Sequence, residues 1–215
     1  MKIKWFGHSC FIISSEKGTK ILLDPYKNVL GYKLPDEIEA DIVTTSHDHG
    51  DHNNINAVKN SFVHINKAGN FSEQGIEIKG IETFHDKISG AKKGKNIIYN
   101  FKIEDINVCH CGDLGHILTS QHLKEIGNVD ILIIPVGGGY TIDALDAVKV
   151  MEQLNPTVVI PMHYRTKALG PIGLAFAKVD KFISASGLKA AEYKVLELNK
   201  TTIKDYSGIA VLKYD

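Results

Sequence analysis

The sequence is poor in several features that would place a protein in a specialised class. Its three cysteines in 215 residues are too few for a disulfide framework, and their odd number favours a reducing compartment. No apolar run reaches the roughly 18 residues of a membrane-spanning helix, and the N-terminal segment lacks a signal-peptide pattern. The formal net charge is zero, so the charge balance gives no argument for attraction of nucleic acid. These absences predict a cytoplasmic protein that binds neither membranes nor nucleic acid.

The composition and length fit one globular domain over residues 1–215, with 43% apolar and 23% charged residues. The N-terminal half has the pattern of short strands joined by turns. The segment KIKWFGHSCFIIS is predicted to be one strand that forms a hairpin with TKILLDP. ADIVTTS, SFVHIN and GIEIKGIET are further strands, and KNIIYNFKIEDINVCHCGD is a hairpin through EDIN.

Helices are predicted only in the second half of the chain. LTSQHLKEIG begins with helix-capping residues and ends at a glycine, and TIDALDAVKVMEQLNP has apolar residues at helical spacing. DILIIPVGGG and TVVIPMHY are predicted to be buried strands, and the chain ends in the strands AEYKVLELNK and TIKDYSGIAVLKYD. This order predicts an α/β (α+β) domain in which two sheets pack together with helices outside.

The segment TTSHDHGDHNN concentrates three histidines and two aspartates within six residues. Imidazole nitrogens and carboxylate oxygens are the ligands that borderline divalent metals prefer. Because alternate side chains of an extended chain share a face, His47 and His49 can bind one metal ion. Asp51 and His52 can bind a second ion if the chain turns, which Gly50 permits. The alternative interpretation is an ordinary polar loop.

The remaining ligands must come from elsewhere, because a catalytic zinc ion usually has three protein ligands. The candidates are His85, Asp113 and His163, each of which lies where a predicted strand gives way to a loop. His110 is the alternative to His85 as a metal ligand. However, His110 and Asp113 have opposite parity and would face opposite sides of a regular strand, which favours His85.

The motif His-x-His-x-Asp-His, followed by a lone histidine, a Gly-Asp pair and a final histidine after an apolar strand, resembles the metallo-β-lactamase superfamily. The resemblance covers nearly the whole chain. It implies a four-layer αββα sandwich of two mixed β-sheets with helices outside and a metal site at the edge between the sheets. The segments GHSCFII, LLDP and HCGDLGH further resemble a branch of small predicted zinc-dependent hydrolases related to sugar-phosphate lactonases.

The resemblance also implies how the ligands divide between two divalent metal ions, with Zn²⁺ expected and Mn²⁺ or Fe²⁺ as alternatives. The side chains implied for the first ion are His47, His49 and His85. Those implied for the second ion are Asp51, His52 and His163, with Asp113 as the carboxylate that bridges both ions.

Five further polar side chains are candidates for supporting roles. His116 is the candidate proton donor to the leaving group, with a structural role as the alternative. His8 either lines the site or is a satisfied histidine near a strand end. Asp24 could hold a ligand histidine, and His110 could orient a ligand through a hydrogen bond. Arg165, the only arginine, lies two residues past the last ligand candidate and could share its side of the strand.

These observations predict a metal-dependent hydrolase in which a metal-bridging hydroxide attacks a carbonyl or phosphorus centre. Asp51 and Asp113 are expected to orient that hydroxide. Arg165 and the lysines of AKKGKN favour a small anionic substrate, such as an ester, a lactone or a phosphorylated metabolite. The chain could also form a homo-oligomer.

Two other functions are compatible with the sequence. The first is a phosphodiesterase or nuclease that acts on nucleic acid, which the zero net charge does not favour. The second is a non-catalytic metal-binding protein. A structural zinc ion fills four coordination positions, and the seven candidate ligands are too many for one such site.

Overall fold

A computed structural model describes residues 1–27 and 31–214 of the chain. The strands of the described part are β1 (Lys2–Trp5), β2 (Phe11–Ser14), β3 (Lys20–Leu23), β4 (Ile42–Thr44), β5 (Val63–Ile65), β6 (Gly69–Glu73), β7 (Ile76–Phe84), β8 (Lys95–Ile103), β9 (Ile106–His110), β10 (Ile131–Pro135), β11 (Val158–Met162), β12 (Ala190–Tyr193), β13 (Leu196–Glu197) and β14 (Gly208–Leu212). Its α-helices are α1 (Ser120–Ile126), α2 (Ala144–Leu154) and α3 (Val179–Ser186).

The strands form two mixed sheets. The six-stranded sheet has the order β13-β1-β2-β3-β4-β5, in which β3, β4 and β5 are parallel and the other neighbours are antiparallel. The eight-stranded sheet has the order β12-β14-β11-β10-β9-β8-β7-β6. Its strands from β12 to β9 run parallel, and the hairpins of β6 to β9 are antiparallel. This architecture confirms the predicted fold class.

The alternation of side chains along the strands separates the inner core from the outer faces. Ile21 and Leu23 of β3 belong to the main core together with residues of the other sheet, whereas Leu22 belongs to a second cluster. That second cluster includes Leu169, from the 3₁₀ segment Lys167–Ala175. The outer face of the six-stranded sheet is therefore covered partly by 3₁₀ turns. Helices α1 and α2 contact β7 and β10 of the larger sheet.

Several elements differ from the sequence prediction. The segment predicted as one N-terminal strand divides into β1 and β2, because the backbone turns at Gly7 (φ 95°) and His8 (φ 52°). Strand β6 and helix α3 were not predicted. Part of the last predicted strand, Ile203–Tyr206, is a 3₁₀ segment. No helix of the described residues is both long and apolar enough to cross a bilayer.

The hairpin of β8 and β9 and helix α1 confirm their predictions. The hairpin turns at Glu104 (φ 52°) and Asp105 (φ 61°), whose positive φ angles match the twist of a two-residue hairpin loop. Helix α1 begins after Thr119, whose hydroxyl accepts a hydrogen bond from the backbone N–H of His122, and it ends at Gly127. Local sequence signals were sufficient in both places because they act over a few residues.

Candidate metal centre

The candidate ligands meet because the strands that precede them end at one edge of the two sheets. The His47 segment follows β4, His85 follows β7, Asp113 lies three residues past β9, and His163 follows β11 directly. The backbone N–H of His52 donates to the carbonyl of His49 at 2.9 Å, which forms the turn that the sequence requires. Gly50 in this turn has no positive φ and has space for a Cβ, so the turn does not depend on glycine.

His47, His49 and His85 form an outer histidine group. One ring nitrogen from each lies within 4.8 Å of those of the other two, and the ring centroids of His47 and His49 are 4.5 Å apart. His49 is exposed, His47 is half-buried and His85 is buried. These are the three histidines that the resemblance implies for the first ion.

His8, His52 and His163 form an inner histidine group whose members are all buried. The ring centroid of His8 lies 4.2 Å from that of His163 and 5.1 Å from that of His52. The sequence predicted Asp51 for the second ion, and the structure adds His8 at this position. The Nε2 atom of His8 lies 3.2 Å from Oδ2 of Asp51.

Asp113 joins the two groups and is itself buried. Its Oδ2 atom lies 3.1 Å from Nε2 of His85 and 3.4 Å from Nε2 of His163, and its Oδ1 atom lies 3.3 Å from Nε2 of His52. Burial acts to raise the pKa of Asp113, but His163 and His52 hold it well below its ordinary value. A buried, ionised carboxylate between histidines is suited to bind a cation.

Asp24 orients one histidine of each group. Its carboxylate accepts hydrogen bonds from Nδ1 of His52 (2.9 Å) and from the backbone N–H (2.7 Å) and hydroxyl (2.6 Å) of Ser46. The Ser46 hydroxyl in turn accepts from Nδ1 of His47 at 2.9 Å. Both rings are therefore held through Nδ1, which leaves Nε2 available. The sequence indicated Asp24, but it gave no signal for Ser46.

Four buried ring nitrogens show that the site fits metal ions. Within residues 1–27 and 31–214 these nitrogens make no hydrogen bond, although His52 Nε2 lies 3.3 Å from Oδ1 of Asp113: His47 Nε2, His52 Nε2, His85 Nδ1 and His163 Nδ1. Buried polar atoms are normally satisfied, so such a concentration in one place requires an explanation. Divalent cations bound by imidazole and carboxylate groups would satisfy them.

His8 has an unusual backbone conformation for a residue with a side chain. Its φ of 52° lies in the left-handed region, and its carbonyl accepts hydrogen bonds from Nε1 of Trp5 (3.0 Å) and the backbone N–H of His163 (3.2 Å). Burial and the nearby His163 lower the pKa of His8 to about 4. At neutral pH the ring is therefore uncharged and donates its Nε2 proton to Asp51.

His110 has no free nitrogen for a metal. Its Nε2 donates to the carbonyl of Ser9 at 3.0 Å, and its Nδ1 accepts from the backbone N–H of Gly112 at 3.3 Å. The structure thus places His85 with the other ligand candidates, and His110 orients backbone rather than a ligand side chain. The parity argument behind this preference was incomplete, because β9 ends at His110 and Gly112 has a φ of 52°.

The hydrogen bonds of His116 differ from those expected of a proton donor to the leaving group. Its Nε2 accepts from the backbone N–H of Phe84 at 3.1 Å, and its Nδ1 donates to the carbonyl of Ile117 at 2.8 Å. Its ring also lies 5.4 Å from that of His122. Both nitrogens are occupied by backbone groups, so this geometry argues against the proton-donor role, which stays a prediction.

Arg165 does not follow the strand register that the sequence argument assumed. Strand β11 ends at Met162, and His163 has a φ of 53°, so alternation along a strand does not relate the two side chains. The backbone N–H of Arg165 donates to the carbonyl of Ala177. Among residues 1–27 and 31–214, its guanidinium forms no hydrogen bond or ion pair. Its role in binding substrate stays a prediction.

Asp86 organises the lysine-rich loop that follows His85. Its carboxylate accepts four backbone N–H groups at 2.8–2.9 Å, from Ile88, Gly90, Lys92 and Lys93. Burial opposes ionisation, but these donors lower the pKa of Asp86 to about 2. Asp86 therefore fixes the loop beside the outer histidine group.

Comparison with known proteins gives a consistent family. The family described as "Beta-lactamase superfamily domain" matches residues 2–163. A UPF0173 metal-dependent hydrolase of Carboxydothermus hydrogenoformans is 32% identical over 196 residues, which covers 77% of this chain and 85% of the relative. A UPF0173 metal-dependent hydrolase of Thermococcus kodakarensis is 29% identical over 193 residues, with 77% and 85% covered.

Similarity to solved structures agrees with this family assignment. A predicted zinc-dependent hydrolase of the metallo-β-lactamase superfamily from Thermotoga maritima has a TM-score of 0.82 and 39% identity, and the match covers 98% of this chain and 97% of the other. A metallo-hydrolase from Ignicoccus hospitalis has a TM-score of 0.63 at 21% identity, with 86% and 90% covered, which shows similarity of fold.

Proposed function

The chain belongs to the metallo-β-lactamase superfamily of metal-dependent hydrolases, and we propose that it uses two divalent metal ions to cleave a small anionic substrate. The substrate would be an ester, a lactone or a phosphorylated metabolite. Zinc is the expected metal, because imidazole and carboxylate ligands suit it. The relation to sugar-phosphate lactonases stays a prediction.

The observation that carries this proposal is the arrangement of two histidine groups around Asp113. The outer histidine group would hold the first ion. His52, His163 and Asp51 would hold the second, and Asp113 lies within 3.4 Å of a histidine from each group. His8 would position Asp51 through its hydrogen bond at 3.2 Å.

When bound, two such ions would supply a hydroxide nucleophile at neutral pH and stabilise developing negative charge. The residues of the chain would prepare the site for that chemistry. Asp113 is kept ionised, and burial keeps water from screening its charge. Asp24 fixes His52 directly and His47 through Ser46, so that the free nitrogens of both rings are oriented before a ligand arrives.

A small substrate is supported by the space beside the site. A cavity of about 400 Å³ is lined by residues that include His47 and His49. This volume is within the usual range for small-molecule sites, about 300–1,000 Å³. The formal net charge of zero does not favour long-range attraction of a polyanionic polymer.

Two measurements test the proposal. Elemental analysis of protein saturated with zinc and then desalted should give close to two ions per chain. A parallel screen of metal-loaded protein against aryl esters, lactones, thioesters and bis-aryl phosphates should identify the reaction. Chelator-treated protein serves as the control. A fully loaded protein that cleaves none of these compounds, or a chain that retains no metal, would contradict the proposal.

A further inference from the structure

The cavity beside the outer histidine group contains charged side chains that the metal centre does not use. Lys67, Lys93 and Lys95 line it, together with the carboxylates of Asp48 and Glu82. Three ammonium groups against two carboxylates leave one positive charge in this cavity. The same cavity is bounded by two histidines of the outer group, so a ligand there would adjoin the proposed ions.

The three lysines keep most of their hydrogen-bond donors free. Lys95 donates one hydrogen bond to Glu82 at 3.0 Å, so two of its three N–H groups stay available to a ligand. Lys93 donates to the carbonyl of Tyr140 at 2.5 Å and lies 4.9 Å from the centre of its ring, which also leaves two. Within the described residues, Lys67 has no ion-pair or hydrogen-bond partner through its side chain.

Lys93 is fixed in place by the backbone as well as by its side chain. Its N–H donates to Asp86 at 2.8 Å, and its ammonium group donates to the carbonyl of Tyr140, which does not line the cavity. Burial lowers the pKa of Lys93, whereas Asp113 and Asp86 act to raise it.

The surroundings of the inner histidine group have a different character and adjoin the lysines through Tyr140, whose ring lies 4.9 Å from the Lys93 ammonium group. The ring of His163 lies 5.1 Å from that of Phe176, and the ring of Phe176 lies 6.0 Å from that of Tyr140. The inner histidine group therefore adjoins aromatic side chains, whereas the outer group adjoins lysines. A substrate with a charged end would place that end on the lysine side, where its charge is compensated.

We propose that the cavity beside His47 and His49 is the subsite for a carboxylate or phosphate group of the substrate, and that Lys67 and Lys93 are its main contacts. This inference rests on the proposed hydrolase function and adds the position and orientation of the substrate. The scissile bond would lie next to the outer histidine group, and the uncharged part of the substrate would lie towards Phe176.

A binding experiment on the zinc-loaded protein tests the subsite without requiring turnover. Phenyl phosphate and benzoate are the two anionic probes, and benzamide is the uncharged one, each titrated by calorimetry. The double variant Lys67→Met with Lys93→Met should bind the preferred anion about tenfold more weakly, as expected for two partly exposed charge contacts. The matched control is Lys79→Met, because Lys79 lies on β7 and lines a different cavity.

The results separate the two anions and the two proposals. Loss of affinity for phenyl phosphate alone would identify a phosphate subsite, and loss for benzoate alone a carboxylate subsite. If the double variant, the control and the original protein bind the anions with equal affinity, the proposed subsite is wrong. It is also wrong if the original protein binds neither anion more tightly than benzamide. Failure of the zinc-loaded protein to cleave any compound of the ester, lactone, thioester and bis-aryl phosphate screen would instead contradict the proposed function, because these titrations do not depend on catalysis.

Discussion

The two histidine groups differ in how the fold holds them. The outer group, His47, His49 and His85, includes an exposed and a half-buried ring and adjoins the lysine-lined cavity. The inner group, His8, His52 and His163, is at most 3% exposed, and the ring of His163 lies beside that of Phe176. Two of the inner residues, His8 and His163, have positive φ angles of 52° and 53°.

This difference indicates that the inner group is held in place by the fold and that the outer group is the side from which ligands approach. Non-glycine residues with positive φ cost free energy, on the order of 1 kcal/mol each, and persist where surrounding contacts impose them. Here the hydrogen bonds of His8 with Trp5 and His163 impose the conformation. We therefore expect the second ion, which His52, His163 and Asp51 would hold, to bind more tightly than the first.

The substitution Asp113→Asn should have the largest effect, because Asp113 contacts both groups. It removes the negative charge that three histidines share. We expect kcat/KM to fall by more than the roughly 100-fold typical of groups that only orient a ligand. Elemental analysis should show the loss of metal from both sites. Loss of one ion only would show that Asp113 serves a single group and that the two groups are independent.

Substitution of one histidine in each group should separate the two ions. His47→Ala should remove mainly the first ion, and His163→Ala mainly the second, each lowering the content by about one ion per chain. Zinc titration with a chromogenic chelator measures both. If either variant loses both ions, the sites are coupled, and the comparison of two separate groups does not hold.

The substitution Ser46→Ala should weaken the outer group selectively. Ser46 connects Asp24 to His47, whereas His52 contacts Asp24 directly. We expect the zinc affinity of the first site to fall by about 10-fold, the lower end for a group that orients a ligand. Thr45→Val is the matched control, because the Thr45 hydroxyl contacts His64 instead. Equal effects of the two variants on zinc affinity would show that Ser46 does not orient a ligand of the metal centre.

The smallest effect concerns the pH dependence of stability in the metal-free protein. The pKa of His8 is lowered from its ordinary value of 6.5 to about 4, so between these values the unfolded chain binds more protons than the folded one. His8 therefore lowers stability as the pH falls from 6.5 to 4, by at most about 1.4 kcal/mol per pH unit. Urea unfolding at a series of pH values should show that the free energy of unfolding of His8→Gln depends less steeply on pH than that of the original protein. The same pH dependence in both proteins would mean that His8 is not held neutral by the fold.

The sequence was informative about the site where the spacing of residue types is itself the signal. The motif around His47 and the strand-end positions of His85, Asp113 and His163 indicated the side chains that the structure brings together. Ser46 could not be found in this way. Its role depends on the approach of Asp24, which lies 22 residues away along the chain, directly after the end of β3, the strand next to β4 in the sheet.

By itself, the sequence determined the family, the strand and helix pattern that leads to two sheets, and the residue types of a metal centre, because these follow from local periodicity and motif spacing. Only the tertiary structure decided which of these residues meet and how they are oriented. His8 entered the inner group because the backbone turns between β1 and β2, whereas His116 and Arg165 follow loop geometry that strand parity does not describe. Such positions depend on long-range packing of the two sheets, which no local pattern encodes.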